Sequence, residues 1–238
     1  MPVSSPGRAG ERLPKGERTR EGILRVAVNL ASVEGLEGVT IGRLADELKM
    51  SKSGLFAHFG SKEELQLATI EMARTIFGDR VVRPALSQPV GVPRLWALCN
   101  GWLQYVEDKV FTGGCFFTAA SYEFDSRPGP VRDRITEVMK NWLAILSRAV
   151  DEAKKARHLK SKVDSKQLAF EIYSLAMGAH WGFQLLDDKK ALDTIRATIL
   201  DRIRVLATPS CPGISSRHSA FSIQPKKQQR SKQSATTV

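Results

Sequence analysis

Apolar residues recur along this chain at three- and four-residue intervals, and nowhere in a sustained alternation. Ile23, Val26, Ala27 and Leu30 fall at i, i+3, i+4 and i+7. That spacing predicts an amphipathic helix from near Thr19 to Glu34, with Gly35 free to take the left-handed cap conformation. Thr40 suits the N-cap of a second helix carrying Ile41, Leu44, Ala45 and Leu48 inward, and Ser51 caps a short third one with Leu55, Phe56 and Phe59. Ser61-Lys62-Glu63-Glu64 fits the S-x-x-E capping box and opens a fourth helix through Leu65, Ala68, Ile70 and Met72 toward Phe77.

Pro84, Pro89 and Pro93 interrupt the pattern between 81 and 93, which predicts a linker or the approach to a new helix. Helical periodicity resumes over 93–111 and 115–126, and again, after the turn Arg127-Pro128-Gly129-Pro130, over 130–157. Asp164-Ser165-Lys166-Gln167 is a second capping box, opening a helix to about 187, and 190–207 forms the last. The fold class is therefore all-α, about nine helices. An N-terminal helix-turn-helix domain (18–64) is followed by a helical bundle (65–207).

Composition sharpens the two ends. The 238 residues carry a net charge of +11, and residues 208–238 hold five Lys/Arg with no Asp/Glu. This Ser-, Gln- and Lys-rich tail, like the basic arm 1–17, has too little apolar surface to offset the entropy of ordering, so both are expected to be disordered. No apolar run approaches the roughly 18–20 residues of a membrane span, and the N-terminus lacks a signal-peptide core. Cys99, Cys115 and Cys211 are odd in number and far apart, as suits free thiols in a reducing cytoplasm. A cytoplasmic protein without membrane partner is expected.

Residues 41–48 and 52–58 have the spacing of a helix-turn-helix, whose second helix enters the major groove. That helix begins Lys52-Ser53-Gly54, small or cationic residues that allow a helix end to press on base edges. Helix N-termini also offer free N–H groups and partial positive charge to phosphate. Thr40, Ser51 and Ser61 each start a helix, and Lys62 adds a cation at the third. Glycine inside a helix costs about 1 kcal/mol relative to alanine. Gly54 is thus explained either by close approach to DNA or by the shortness of a helix that is mostly cap.

The run T-I-x-x-L-A-x-x-L-x-M-S-x-x-x-L-F-x-H-F-x-S-K-E-x-L resembles the DNA-binding signature of TetR/AcrR-type transcriptional regulators, over about residues 19–66. The resemblance implies a homodimer on a palindromic double-stranded operator, released by a small ligand, and most often a repressor. It implies phosphate contacts for Thr40 and Lys62, and base reading for Lys52, Ser53 and Gly54. His58 matches a position that packs under the helix; a half-buried core histidine and a phosphate contact both remain open. Two positions depart from the family. Phe56 stands where tyrosine is usual, so no hydroxyl reaches phosphate and packing alone remains. Lys49 replaces the usual turn glycine, which costs about 1 kcal/mol if the backbone is left-handed but places a cation near DNA.

In the bundle, Trp102, Tyr105, Phe116, Phe117, Trp142, Tyr173, Met177, His180 and Trp181 are candidate walls of a ligand pocket, or else ordinary core. Their abundance points to a hydrophobic or aromatic effector of unidentified structure. The 164–187 helix is apolar on two stripes, one through Leu168, Ile172, Leu175, Ala179 and Phe183, the other through Phe170, Tyr173, Met177 and Trp181. A helix apolar all round is buried all round. Leu175, Ala179, Phe183, Ile195, Ile199 and Ile203 are assigned to a two-fold four-helix dimer face, with a purely internal core as the rival reading. Enzymatic chemistry finds no support: the four histidines lack metal spacing, and no nucleophile elbow, phosphate loop or dinucleotide fingerprint occurs. No cofactor or metal is expected. The rival function is a small-molecule-binding or catalytic helical protein in which the helix-turn-helix is a packing unit.

Overall fold

Helices start and stop where side chains can take over the unpaired backbone groups at their ends. The computed structural model describes residues 14–213, and the N-terminal arm up to 13 and the tail from 214 lie outside those residues. The first helix, α1 (Lys15–Glu34), begins four residues earlier than the periodicity indicates, directly after Pro14. It stops at Gly35, whose φ of 82° is open to glycine and strained for other residues. Helix α2 (Ile41–Leu48) is capped by the Thr40 hydroxyl, which accepts from the Arg43 N–H at 3.1 Å. Helix α3 (Lys52–Phe59) has Ser51 in the same role, and α4 (Lys62–Phe77) has Ser61.

The segment after residue 81, expected to be a linker or the approach to a new helix, is largely helix. Beyond α4 the chain makes a wide π turn over Gly78–Val82 and continues as α5 (Arg83–Leu86). Pro84 cannot donate a backbone hydrogen bond, and its ring clashes with the preceding turn of a regular helix. Here the Arg83 N–H reaches five residues back to the Gly78 carbonyl, which loosens the turn ahead of the proline. Val81 and Ala85 are buried, so this segment belongs to the core. Counting α4 through α5 as one rod gives nine helices among the described residues.

The remainder comprises α6 (Val92–Glu107), α7 (Phe116–Phe124), α8 (Pro130–Lys155), α9 (Ser165–Gln184) and α10 (Ala191–Leu206). Asp164 caps α9 as expected, accepting from the N–H groups of Lys166 and Gln167 at 2.9 and 3.0 Å. Helix α4 packs on α1 on one side and on α8 on the other, so it spans both parts of the molecule. Arg134 of α8 fastens it there through Glu71. Among the described residues there is no strand, only an isolated bridge between Leu159 and Ala207. The chain just past α10 is also tied down. The Thr208 N–H donates to the His158 carbonyl at 3.0 Å, and Cys211 is half-buried against the core. The expected disorder from 208 therefore fails for these first residues. Cys99 and Cys115 are buried free thiols.

Candidate nucleic-acid interface and ligand groove

The starts of α2, α3 and α4 lie within about 20 residues of chain, each with a hydroxyl on its first turn. All three hydroxyls already accept a backbone N–H at 3.1 Å, but each retains its own proton to donate. Lys49 joins α2 to α3 and is left-handed, with φ 52° and ψ 40°. It is exposed, as are Ser51, Lys52 and Ser53. The Lys52 side chain lies across the start of α2, its Nζ 3.8 Å from where a Cβ on Gly42 would sit.

Several details refine the sequence reading, and the one at Phe56 corrects it. A Cβ on Gly54 would sit 3.0 Å from the Ser51 Oγ that caps the same helix. The chain's own cap thus gives this glycine a reason that needs no DNA. Phe56 does not hold the helices together: it is 57% exposed, on the same helix as Lys52 and Ser53. The Lys62 ammonium does not stand free but pairs with Glu37, and that bond holds the Glu37 carboxyl below the usual glutamate range. Arg43, a further cation beside Thr40, is occupied by Glu34 and Glu47 at 2.6 and 2.9 Å. His58 is half-buried with its ring tilted against Phe59. Phe59 is itself buried under α1, with the Arg20 guanidinium 5.0 Å from its ring centre.

The nine aromatic-pocket candidates divide into three groups. Tyr173, Met177, His180 and Trp181 line an open groove of about 800 Å³ between α7 and α9, together with Thr118 and Tyr122. Trp102, Phe117 and Trp142 surround a small void of about 30 Å³ with Phe77, and Tyr173 and Thr118 line both void and groove. Phe77 meets Trp142 edge to face at 5.0 Å. Tyr105 and Phe116 line neither space and are core: Tyr105 packs on Phe77 and Phe111, Phe116 on Phe117. The Tyr105 hydroxyl is nonetheless buried with no hydrogen-bond partner among the described residues.

His180 is buried and lowered by that burial to a pKa of about 4, so it is neutral near pH 7. Its Nε2 accepts the Cys115 N–H at 3.0 Å, which leaves the ring proton on Nδ1. Trp102 donates its indole N–H to the Cys115 sulfur at 3.4 Å and lies nearly parallel to the imidazole.

The assigned dimer face is also revised. Ala179, Phe183, Ile199 and Ile203 are buried within the protomer, and Leu175 and Ile195 pack half-buried against the same core. Only part of the other α9 stripe faces outward: Phe170, Trp181 and the following Leu185 are between 55% and 68% exposed, while Tyr173 and Met177 pack half-buried against the core. Glu123 of α7 has a role that no local pattern indicates. Its carboxylate accepts the backbone N–H groups of Leu36 and Glu37 at 2.6 and 2.9 Å, from 87 and 86 residues away. Among the described residues no group of three or more His, Cys, Asp or Glu could hold a metal ion, and no helix is long and apolar enough to cross a membrane.

Comparisons with known proteins agree with this layout. Residues 23–69 match the family of bacterial regulatory proteins called the tetR family, and residues 91–199 match the tetracyclin repressor-like C-terminal domain. The transcriptional regulator TcmR of Streptomyces glaucescens is 34% identical over 88 residues, 37% of this chain. The match spans 39% of TcmR itself. A TetR regulator from Chloroflexus aurantiacus superposes with a TM-score of 0.76 at 24% identity, over 82% of this chain and 98% of that one. AibR, solved with isovaleryl coenzyme A and operator DNA, gives 0.61 at 22% identity, over 79% and 97%. At such identities the two structures establish the fold. Two domain matches in the family's own order, over residues 23–69 and 91–199, place this chain in the TetR family of bacterial regulatory proteins.

Proposed function

We propose that the protein regulates transcription as a homodimer that binds a palindromic operator and leaves it when a small, mainly apolar ligand binds the helical bundle. The observation that carries the DNA-binding part is the set of capped starts of α2, α3 and α4, with the Lys52 side chain lying across the start of α2 and Lys49, Lys52, Ser53 and Phe56 exposed. Thr40, Ser51 and Lys62, the last held in position by its pair with Glu37, bind phosphates; Lys52, Ser53 and the close backbone at Gly54 meet base edges. His58 supports α3 from beneath. The exposed Phe56 ring replaces a hydroxyl–phosphate bond with an apolar contact, of the kind a thymine methyl offers.

The ligand reading rests on the α7/α9 groove, whose apolar walls converge on a neutral, buried His180. Tyr173 and Thr118 line both that groove and the aromatic void behind it, so an aromatic ligand entering the groove reaches the void by moving these two side chains. AibR, similar in fold, was solved with both an acyl coenzyme A and operator DNA. A ligand releases DNA only if it binds the released state more tightly. The dimer reading rests on Phe170, Trp181 and Leu185, an apolar stripe too large to be incidental on a lone protomer.

Selection of bound sites from random DNA tests the DNA part. The selected site should contain two inverted half-sites about 10 base pairs apart, one helical turn. Replacing Lys52 and Ser53 together by alanine should relax base preference and weaken binding by about 1–3 kcal/mol per lost base contact. Undiminished specificity in that variant would remove α3 from the role of reader.

A further inference from the structure

The helix that walls the groove also grips the helix-turn-helix at both of its ends. Just before α7, the Thr112 N–H and hydroxyl both donate to Asn29 Oδ1 of α1, at 2.9 and 3.1 Å. The Gly113 N–H donates to the Ser32 hydroxyl at 3.0 Å. Only glycine allows this approach, since a Cβ on Gly113 would lie 1.8 Å from the Ser32 carbonyl oxygen. Near the end of α7, Glu123 receives the N–H groups of Leu36 and Glu37 in the turn between α1 and α2. A Cβ on Gly35 would press on that carboxylate at 2.9 Å.

The turn so held is not an idle one. Glu37 pairs with Lys62 at the start of α4, accepts from Gln66 at 3.2 Å and is 3.9 Å from Arg127. Glu123 thus fixes the backbone of a residue whose own side chain fixes the cation at the phosphate-facing start of α4. On the same helix, Thr118, Ser121 and Tyr122 line the groove.

We propose that Glu123 is a positioning residue for DNA binding. Its carboxylate locks the 35–38 turn to α7, and through Glu37 it places Lys62. Movement of the groove wall is thereby delivered to the 35–38 turn, beside the second tie that Thr112 and Gly113 make to α1. A carboxylate accepting two backbone N–H groups is a strong and directional tie, stronger than a neutral acceptor. The inference rests on the DNA-binding reading above for its consequence, but the tie itself can be measured without DNA.

Two measurements on the full chain decide it. In Glu123→Gln one acceptor oxygen becomes an NH₂ group facing a backbone donor. Hydrogen exchange at the Leu36 and Glu37 amides should then quicken by about tenfold or more, while α8 and α9 amides keep their protection. Unchanged protection at those two amides overturns the tie. Glu123→Asp, which keeps the charge but withdraws it by one methylene, should give an intermediate rate and serves if the glutamine variant folds poorly.

The second measurement uses a site selected from random DNA by the unaltered protein. Glu123→Gln should weaken binding to it by about tenfold. Combined with Lys62→Ala it should add less than the product of the two separate losses, because the two act through one contact. Losses that simply multiply, with the amides deprotected, would overturn the placement of Lys62 by Glu123. Should the unaltered protein select no site, the DNA-binding reading fails, whereas the exchange data still settle the tie.

Discussion

Lys49 shows how one residue can serve binding at the expense of folding. Its left-handed backbone, φ 52°, carries a strain of about 1–2 kcal/mol for a residue with a Cβ. The Lys49 N–H nonetheless closes α2 by donating to the Ala45 carbonyl, so the conformation is required by the turn. Glycine there would relieve the strain but return some of it as entropy of the unfolded chain, about 0.4–1 kcal/mol. Lys49→Gly should therefore stabilise the protein by up to about 1 kcal/mol in denaturant unfolding. It should also weaken DNA binding at every sequence alike and lower the salt slope by about one ion, as loss of a phosphate contact does. An unchanged salt slope would mean that Lys49 does not approach the DNA backbone. Gly54 makes the complementary point. Its sequence oddity suggested DNA, yet the nearest atom to a Cβ there belongs to Ser51, three residues away.

At the scale of elements, the local signals were legible and the long-range ones were not. Thr40, Ser51, Ser61 and Asp164 cap helices in the structure because capping depends on residues three or fewer apart. Pro84 misled, since a proline marks a break only when the preceding turn stays regular, and here it widens. On α9 both apolar stripes were visible, but periodicity cannot say which one a protomer keeps. The answer lies in α8 and α10, which cover Ala179 and Phe183 and leave Phe170 and Trp181 outside. Glu123 was invisible for the same reason, its partners being more than eighty residues away. The attachment of α10 is another long-range device. Arg196, its side chain 7% exposed, donates to Asn100, Glu107 and Asp193 at 3.0, 2.5 and 2.8 Å. Glu107 and Asp193 keep contact with water, so their side of the pairing is screened. Arg196→Leu should still cost about 2 kcal/mol, somewhat less than the roughly 3–5 kcal/mol of breaking a fully buried pair. The melting temperature should fall by roughly 4–8 °C for a domain of this size. A shift within 1 °C would show that α10 is held by Ile199 and Ile203 alone.

For the whole molecule, the question is what covers the outward stripe of α9. Phe170 and Trp181 lie three turns apart on one face, with Ser174 and Gly178 between them, small enough to let another helix approach. Covering three such side chains on each of two protomers removes enough apolar surface from water to contribute several kcal/mol, at about 25 cal/mol per Å². Association itself costs about 4–15 kcal/mol, so α10 must add to the contact, and its exposed Val205 is placed to do so. A two-fold interface makes the stripe meet its own copy. Two charges introduced on the axis would then face two others. Phe170→Glu with Trp181→Glu should accordingly convert a dimer to a monomer in sedimentation at micromolar concentration, with helix content by circular dichroism retained, because neither side chain belongs to the protomer core. The monomer should bind a single half-site weakly and lose its preference for inverted pairs. A variant that still sediments as a dimer would place the interface elsewhere on the molecule. A wild-type protein that sediments as a monomer would leave two recognition helices with nothing to set their spacing, and the two-fold operator reading would fall with the dimer.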